Sequence, residues 1–203
     1  MGHIDEVFLF IPNRATTAGE RPWKVVFASP DLGIELLEQV SAAGGGSTSV
    51  FAGRQTQSTV DRILSNNRMM SYQDAAQAKI DSIREALMSA LNLTDDDIVE
   101  VPVLFEWHNF DGYEFAAAYN PGIQNLVVAD DVLYVPDPEG PVFQGSDIFK
   151  TSSEQVFTEL GLTTRYVDVF DSYHLNLGEA HCGTEMEGAP YDAPWWAHDS
   201  ERR

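Results

Sequence analysis

Residues 71–91 narrow the folds open to this chain more than any other segment. Ile80, Ile83, Leu87 and Leu91 recur there at spacings of three and four, the repeat that lines one face of an α-helix. Ser71 offers a hydroxyl for the N-cap, so the pattern predicts one long amphipathic helix. The apolar runs around it are short. Residues 7–11, ended by Pro12, and residues 23–28, after the polar stretch NRATTAGER, read as two strands. Pro30 then opens DLGIELLEQV, a helix with Ile34, Leu37 and Val40 on one face that AAGGGSTS terminates. Val50 and Phe51 start a short strand. After TDDD, IVEVPVLFEW alternates as a strand that Pro102 breaks or places at a sheet edge. LVVA from Leu126 and VLYVP from Val132 are further short strands. Ser152 and Gln155 have capping-box spacing ahead of VFTELGL, which predicts a helix over 153–160 stopped by Gly161. RYVDVF then reads as a strand. Short strands interleaved with helices define an α/β or α+β fold and exclude a helical bundle. With 203 residues, 43% of them hydrophobic, a single domain over 1–203 can bury a substantial core.

Charge limits the partners. Thirty-two acidic against 12 basic residues give a formal charge of −20, which repels nucleic acid and anionic membranes and tolerates cationic ligands. No apolar run approaches the roughly 20 residues of a membrane span, and MGHIDEVFLF has neither the basic start nor the cleavage site of a signal peptide. The expected location is cytoplasmic. One cysteine, Cys182, cannot form an internal disulfide.

Cys182 lies in YHLNLGEAHCGTEME, where three roles compete. His181, Glu185 and Glu187 are neighbours of metal-ligating type, yet there is no second cysteine and no C-x-x-C or H-E-x-x-H spacing, so no metal site is expected. A buried filler has little need of flanking Gly178 and Gly183, which permit close backbone approaches. A nucleophile needs activation, because a free thiol is mostly protonated at neutral pH. His181 is a poor activator on this reading, since adjacent residues of an extended segment face opposite ways. His3 is the better candidate. If His3-Ile4-Asp5 continues the first strand, His3 and Asp5 project to the same side and share one site; the competing reading is a frayed terminus. The papain-like order, with the nucleophile first and the histidine downstream, is reversed here, and there is no Gly-rich phosphate loop.

Taken together, MGHIDEVFLFIP, ILSN at Ile63, LNLTDDDIVEVPVLFE, PGIQNLVV, YHLNLGEAHCGT and the following PWW resemble, in order, segments of the C-terminal catalytic domain of the protein-arginine deiminases. The resemblance implies a pentein-type α/β propeller of strand-strand-helix-strand modules, of which this chain would hold about three of five. It implies Cys182 as nucleophile, His3 as acid and base, Asp5 as acceptor for the guanidinium, and Asn125 as a further substrate-binding residue. The implied reaction converts peptidyl arginine to peptidyl citrulline and ammonia, with arginine-containing proteins or peptides as partners. Calcium is the implied cofactor, with most of its ligands, a second aspartate, a stacking tryptophan and a substrate-binding arginine in family sequence before the G-H-V-D-E segment. Another family arginine corresponds to Asn176 here. The chain is therefore expected to cover only the later part of that domain, leaving module faces to be covered by further polypeptide or self-association. Two other functions stay open: a noncatalytic binding remnant, and a small-molecule guanidine hydrolase or amidinotransferase.

Overall fold

The computed structural model describes residues 3–185. Strand β1 (Phe8–Pro12) pairs antiparallel with β2 (Trp23–Ser29), with Leu9 opposite Val26. Helix α1 (Pro30–Val40) follows without a loop. Ser29 ends the strand and caps the helix, its Oγ accepting from the Leu32 amide at 3.2 Å, while Pro30 stands where no N–H partner is needed. The helix unwinds over Ser41–Gly45, where Gly44 takes a φ of 87° that a residue with a Cβ rarely adopts. Short strands β3 (Ser49–Val50) and β4 (Ser58–Thr59) pair antiparallel and lead into α2 (Val60–Leu64) and α3 (Asn67–Leu91). Strand β5 (Ile98–Pro102) then lies parallel to β2 and completes the sheet β1-β2-β5.

The second half repeats this plan after a hairpin of β6 (Phe105–Phe110) and β7 (Tyr113–Ala118). Strands β8 (Val127–Ala129) and β9 (Val132–Pro136) are antiparallel. The small pair β10 (Val142–Phe143) and β11 (Ser146–Asp147) precedes α4 (Ile148–Glu159), and β12 (Thr163–Val167) returns parallel to β9. Each three-stranded sheet is thus an antiparallel pair joined through helix to a third strand parallel to the second. The molecule is a mixed α/β structure of several small sheets, and among the described residues no sheet closes into a barrel. No described helix is long and apolar enough to cross a membrane.

Several boundaries differ from the sequence expectation, each for a local reason. Helix α3 begins four residues earlier than Ser71 because the Asn66 Oδ1 caps it, accepting from the Arg68 and Met69 amides at 3.1 Å. Ser71 instead lies within the helix, its hydroxyl on the Arg68 carbonyl. Helix α4 begins at Ile148, capped by Asp147 rather than Ser152; Ser153 is buried inside it and bonds back to the Phe149 carbonyl. The alternating stretch 98–107 is two strands in different sheets, divided at Val103 and Leu104. Strand β12 ends at Val167, because the Asp168 carboxylate accepts from the Phe170 amide at 3.1 Å and turns the chain.

Helices α1 and α4 both pack on β5, and α3 packs on α1 and β6. Between them Phe27, Leu37, Leu104, Phe105, Phe149 and Phe157 are fully buried. Gln73, on the buried face of α3, meets the first residue of β6 with both ends of its amide: Nε2 donates to the Phe105 carbonyl at 2.7 Å and Oε1 accepts from the Phe105 amide at 2.8 Å. A Gln73→Leu substitution leaves two buried main-chain groups unpaired at about 1–3 kcal/mol each. The expected loss is therefore about 2–6 kcal/mol, read in urea as a lower midpoint with an unchanged m value.

Candidate active site

The N-terminal residues do not continue β1. Ile4–Glu6 is a single 3-10 turn with His3 at its N-cap, closed by the Val7 amide on the Ile4 carbonyl at 2.9 Å. The two-residue alternation assumed for His3 and Asp5 therefore does not apply; the curvature of the turn brings them together instead. The turn is fastened to the body by Gln124, whose Nε2 donates to the Glu6 carbonyl at 2.7 Å.

Cys182 sits in a turn that is anchored from several sides. Arg54 holds the approach to it, pairing with Glu139, with Asp168 at 3.0 Å and with Asp171 at 2.7 Å, its guanidinium lying over the Phe170 ring. The 3-10 turn His174–Asn176 follows, and Leu177 takes a left-handed φ of 64°. His174 Nδ1 meets Glu179 Oε1 at 2.7 Å in a buried pair. Burial pushes the Glu179 carboxyl up, and His174 opposes that shift. The amides of His181 and Cys182 both donate to Asn125 Oδ1, at 3.0 and 3.4 Å, and Asn125 Nδ2 donates to the Cys182 sulfur at 3.4 Å. Asn125 is fully buried, and both polar ends of its amide serve the Cys182 turn. Of the two flanking glycines, Gly183 is needed for space: a Cβ there would lie 2.4 Å from the Tyr173 ring. At Gly178 the nearest atom would be 3.8 Å away, an ordinary contact.

These two turns meet. A ring nitrogen of His3, a carboxylate oxygen of Asp5 and the Cys182 sulfur lie within 4.8 Å of one another. The thiol donates to Asp5 Oδ2 at 3.7 Å. His181, set aside on the assumption of an extended chain, also belongs here: in the turn its Nδ1 donates to Asp5 Oδ2 at 2.8 Å. Gln124, Tyr173 and the His174–Glu179 pair are further site residues that sequence reasoning did not single out. The signal that was present for them is the continuity of the P-G-I-Q-N and Y-H-L-N-L-G-E-A-H-C-G motifs.

The electrostatics favour the neutral thiol. Partial burial of the sulfur is the largest cause raising the Cys182 pKa, although the residue as a whole is exposed, and the Asp5 and Glu6 carboxylates add to it. The Glu179 main chain and the Asn125 amide work the other way. Among the described residues, His3, Asp5 and Cys182 are the one convergent group of metal-ligand type. One nitrogen, one oxygen and one sulfur do not suit calcium, which takes six to eight oxygens. Glu187 and the P-W-W stretch lie outside the described residues.

The structure is thus a mixed α/β scaffold that brings a cysteine, a histidine and a carboxylate together from distant parts of the chain. The family model for protein-arginine deiminase matches residues 1–197, and the chain belongs to that family. It is 31% identical over 198 residues to rat protein-arginine deiminase type-4 and to human protein-arginine deiminase type-1, and 30% identical over 201 residues to mouse protein-arginine deiminase type-3. Each match covers 97% of this chain and 29% of the relative, so the chain spans less than a third of their length.

The thiol environment makes a direct prediction. Without added ligand, the pH profile of Cys182 alkylation should have its midpoint above the ordinary thiol value of about 8.5. Asn125→Asp exchanges a donor to sulfur for a carboxylate and should raise that midpoint further. A midpoint unchanged in the variant would show that the Asn125 amide does not act on the sulfur.

Proposed function

We propose that the chain carries the nucleophile half of a protein-arginine deiminase site and acts on peptidyl arginine. The observation that supports this most is the meeting of His3, Asp5 and Cys182 within 4.8 Å, across nearly the whole chain. The guanidinium is a planar cation with paired N–H donors that a carboxylate matches bidentately, and Asp5 stands beside the sulfur to receive it. Binding the cation also supplies what the thiol lacks. A positive charge next to Cys182 offsets the Asp5 and Glu6 carboxylates and stabilises the thiolate.

The sulfur then bonds to the guanidinium carbon. His3 protonates one nitrogen, which leaves as ammonia with the electron pair of the broken C–N bond, and a thiouronium adduct remains on Cys182. His3 next removes a proton from water, the oxygen bonds to the same carbon, and the C–S bond breaks to return the thiol and leave citrulline. Asn125 acts through the sulfur it hydrogen-bonds. In this proposal the two strand-strand-helix-strand units are part of a larger propeller. Calcium rests on family membership alone, its ligands would lie outside the described residues, and no step here runs through it.

A haloacetamidine, a cationic mimic of the guanidinium with a leaving group, should therefore add once to the chain, at Cys182, and not to Cys182→Ala. A blocked peptidyl arginine should slow this labelling more than free arginine does, and should lower the midpoint of thiol alkylation. The reverse order would favour a small-molecule guanidine hydrolase. The raised thiol is the one observation that favours a noncatalytic module; protection by peptidyl arginine with no citrulline formed, under conditions that permit turnover by the relatives, would establish that reading instead.

A further inference from the structure

We infer that His181 is a positioning residue that aims the Asp5 carboxylate at the incoming guanidinium. The inference rests on the deiminase reading for the identity of the cation. Asp5 belongs to a three-residue turn at the edge of the molecule, whose flanking residues His3 and Ile4 are exposed. The main-chain ties of that turn to the body, at Glu6 and Val7, do not reach the Asp5 side chain. Among the described residues, two groups do: the Cys182 thiol at 3.7 Å and His181 Nδ1 at 2.8 Å, both on Oδ2.

The thiol contact cannot last through the reaction. Once Cys182 ionises it has no proton to donate, and a thiolate beside a carboxylate repels it. His181 is then the remaining side chain that holds Asp5 in place. Its hydrogen bond does not block the substrate, because a carboxylate offers about four acceptor positions and one N–H on Oδ2 leaves Oδ1 and the rest of Oδ2 open. The mounting of the ring is equally pertinent. The main-chain amides of His181 and Cys182 rest on the same buried atom, Asn125 Oδ1. The Asp5 carboxylate is therefore positioned from the same anchor as the nucleophile, and the two keep their spacing if the N-terminal turn shifts. An ionised carboxylate is acceptor-only, so the tautomer with a proton on Nδ1 is required.

The test compares Cys182 labelling of the 203-residue chain by chloroacetamidine, which is cationic, with labelling by the neutral chloroacetamide of similar shape. The quantity read is the ratio of the two rates. His181→Ala should lower that ratio about fivefold, equivalent to about 1 kcal/mol at 1.4 kcal/mol per factor of ten. His181→Asn, whose amide N–H reaches the position of Nδ1–H, should restore most of it. Asp5→Asn should lower the ratio by itself, and His181→Ala added to it should have no further effect. If His181→Ala slows both reagents equally, or changes neither, while Asp5→Asn lowers the ratio, the inference about His181 is overturned and the deiminase reading stands. If Asp5→Asn leaves the ratio unchanged, Asp5 does not receive the cation, and both fall together.

Discussion

The buried amide of Asn125 is the contact on which the site depends. It belongs to the connection between β7 and β8, in which residues 120–126 are all buried. Interior loops are uncommon because their polar groups must find partners there. This one supplies partners to others, and among the described residues it leaves the buried Gln124 Oε1 without a partner. Asn120 Oδ1 accepts from the Leu104 amide, Gln124 holds the N-terminal turn through the Glu6 carbonyl, and Asn125 holds the turn of Cys182. Three amides within six residues thus tie the entry to β6, the N-terminal turn and the Cys182 turn to one element.

The electrostatic design follows from what surrounds that element. The chain is strongly acidic, and acidic groups extend to the sulfur itself through Asp5 and Glu6. Partial burial first, and these carboxylates with it, favour the neutral form of the Cys182 thiol, and in the proposed function a bound cation would offset the carboxylates. Under that proposal, the carboxylates that add to the raised thiol pKa would also attract the cation that opposes it. Nearby, Arg54 pairs with Glu139, Asp168 and Asp171, so that the acidic approach to the Cys182 turn is held rather than splayed by repulsion.

Much of the secondary structure was legible in the sequence, and the misses share a cause. The α1 boundaries, the strands at 8–12 and 23–29 and the long helix α3 follow from apolar periodicity and a proline or glycine at the right place. The starts of α3 and α4 were misplaced because a hydroxyl with the right spacing competes with an Asn or Asp further upstream, and side-chain capping is settled by local geometry. The interruption of 98–107 at Val103 and Leu104 could not be read, because both residues are apolar and continue the pattern while the chain passes from one sheet to another. Cys182, His3 and Asp5 were singled out from chemistry and motif order, and the structure brings them together. The geometry assumed for His3 and Asp5 was that of a strand, and the pairing survived only because a tight turn also brings residues two apart together.

His181 shows where sequence reasoning stops. Adjacent residues diverge in an extended chain, but residues 180–183 form a turn, and in a turn the ring of His181 and the sulfur of Cys182 reach the same carboxylate. The sequence by itself determined the class of structure, the family and the chemical groups, since periodicity, charge and ordered motifs are properties of the chain read in one dimension. The tertiary structure decided which of those groups touch. Contacts between residues about 176 positions apart depend on where a buried loop directs its amides, and no local propensity encodes that direction.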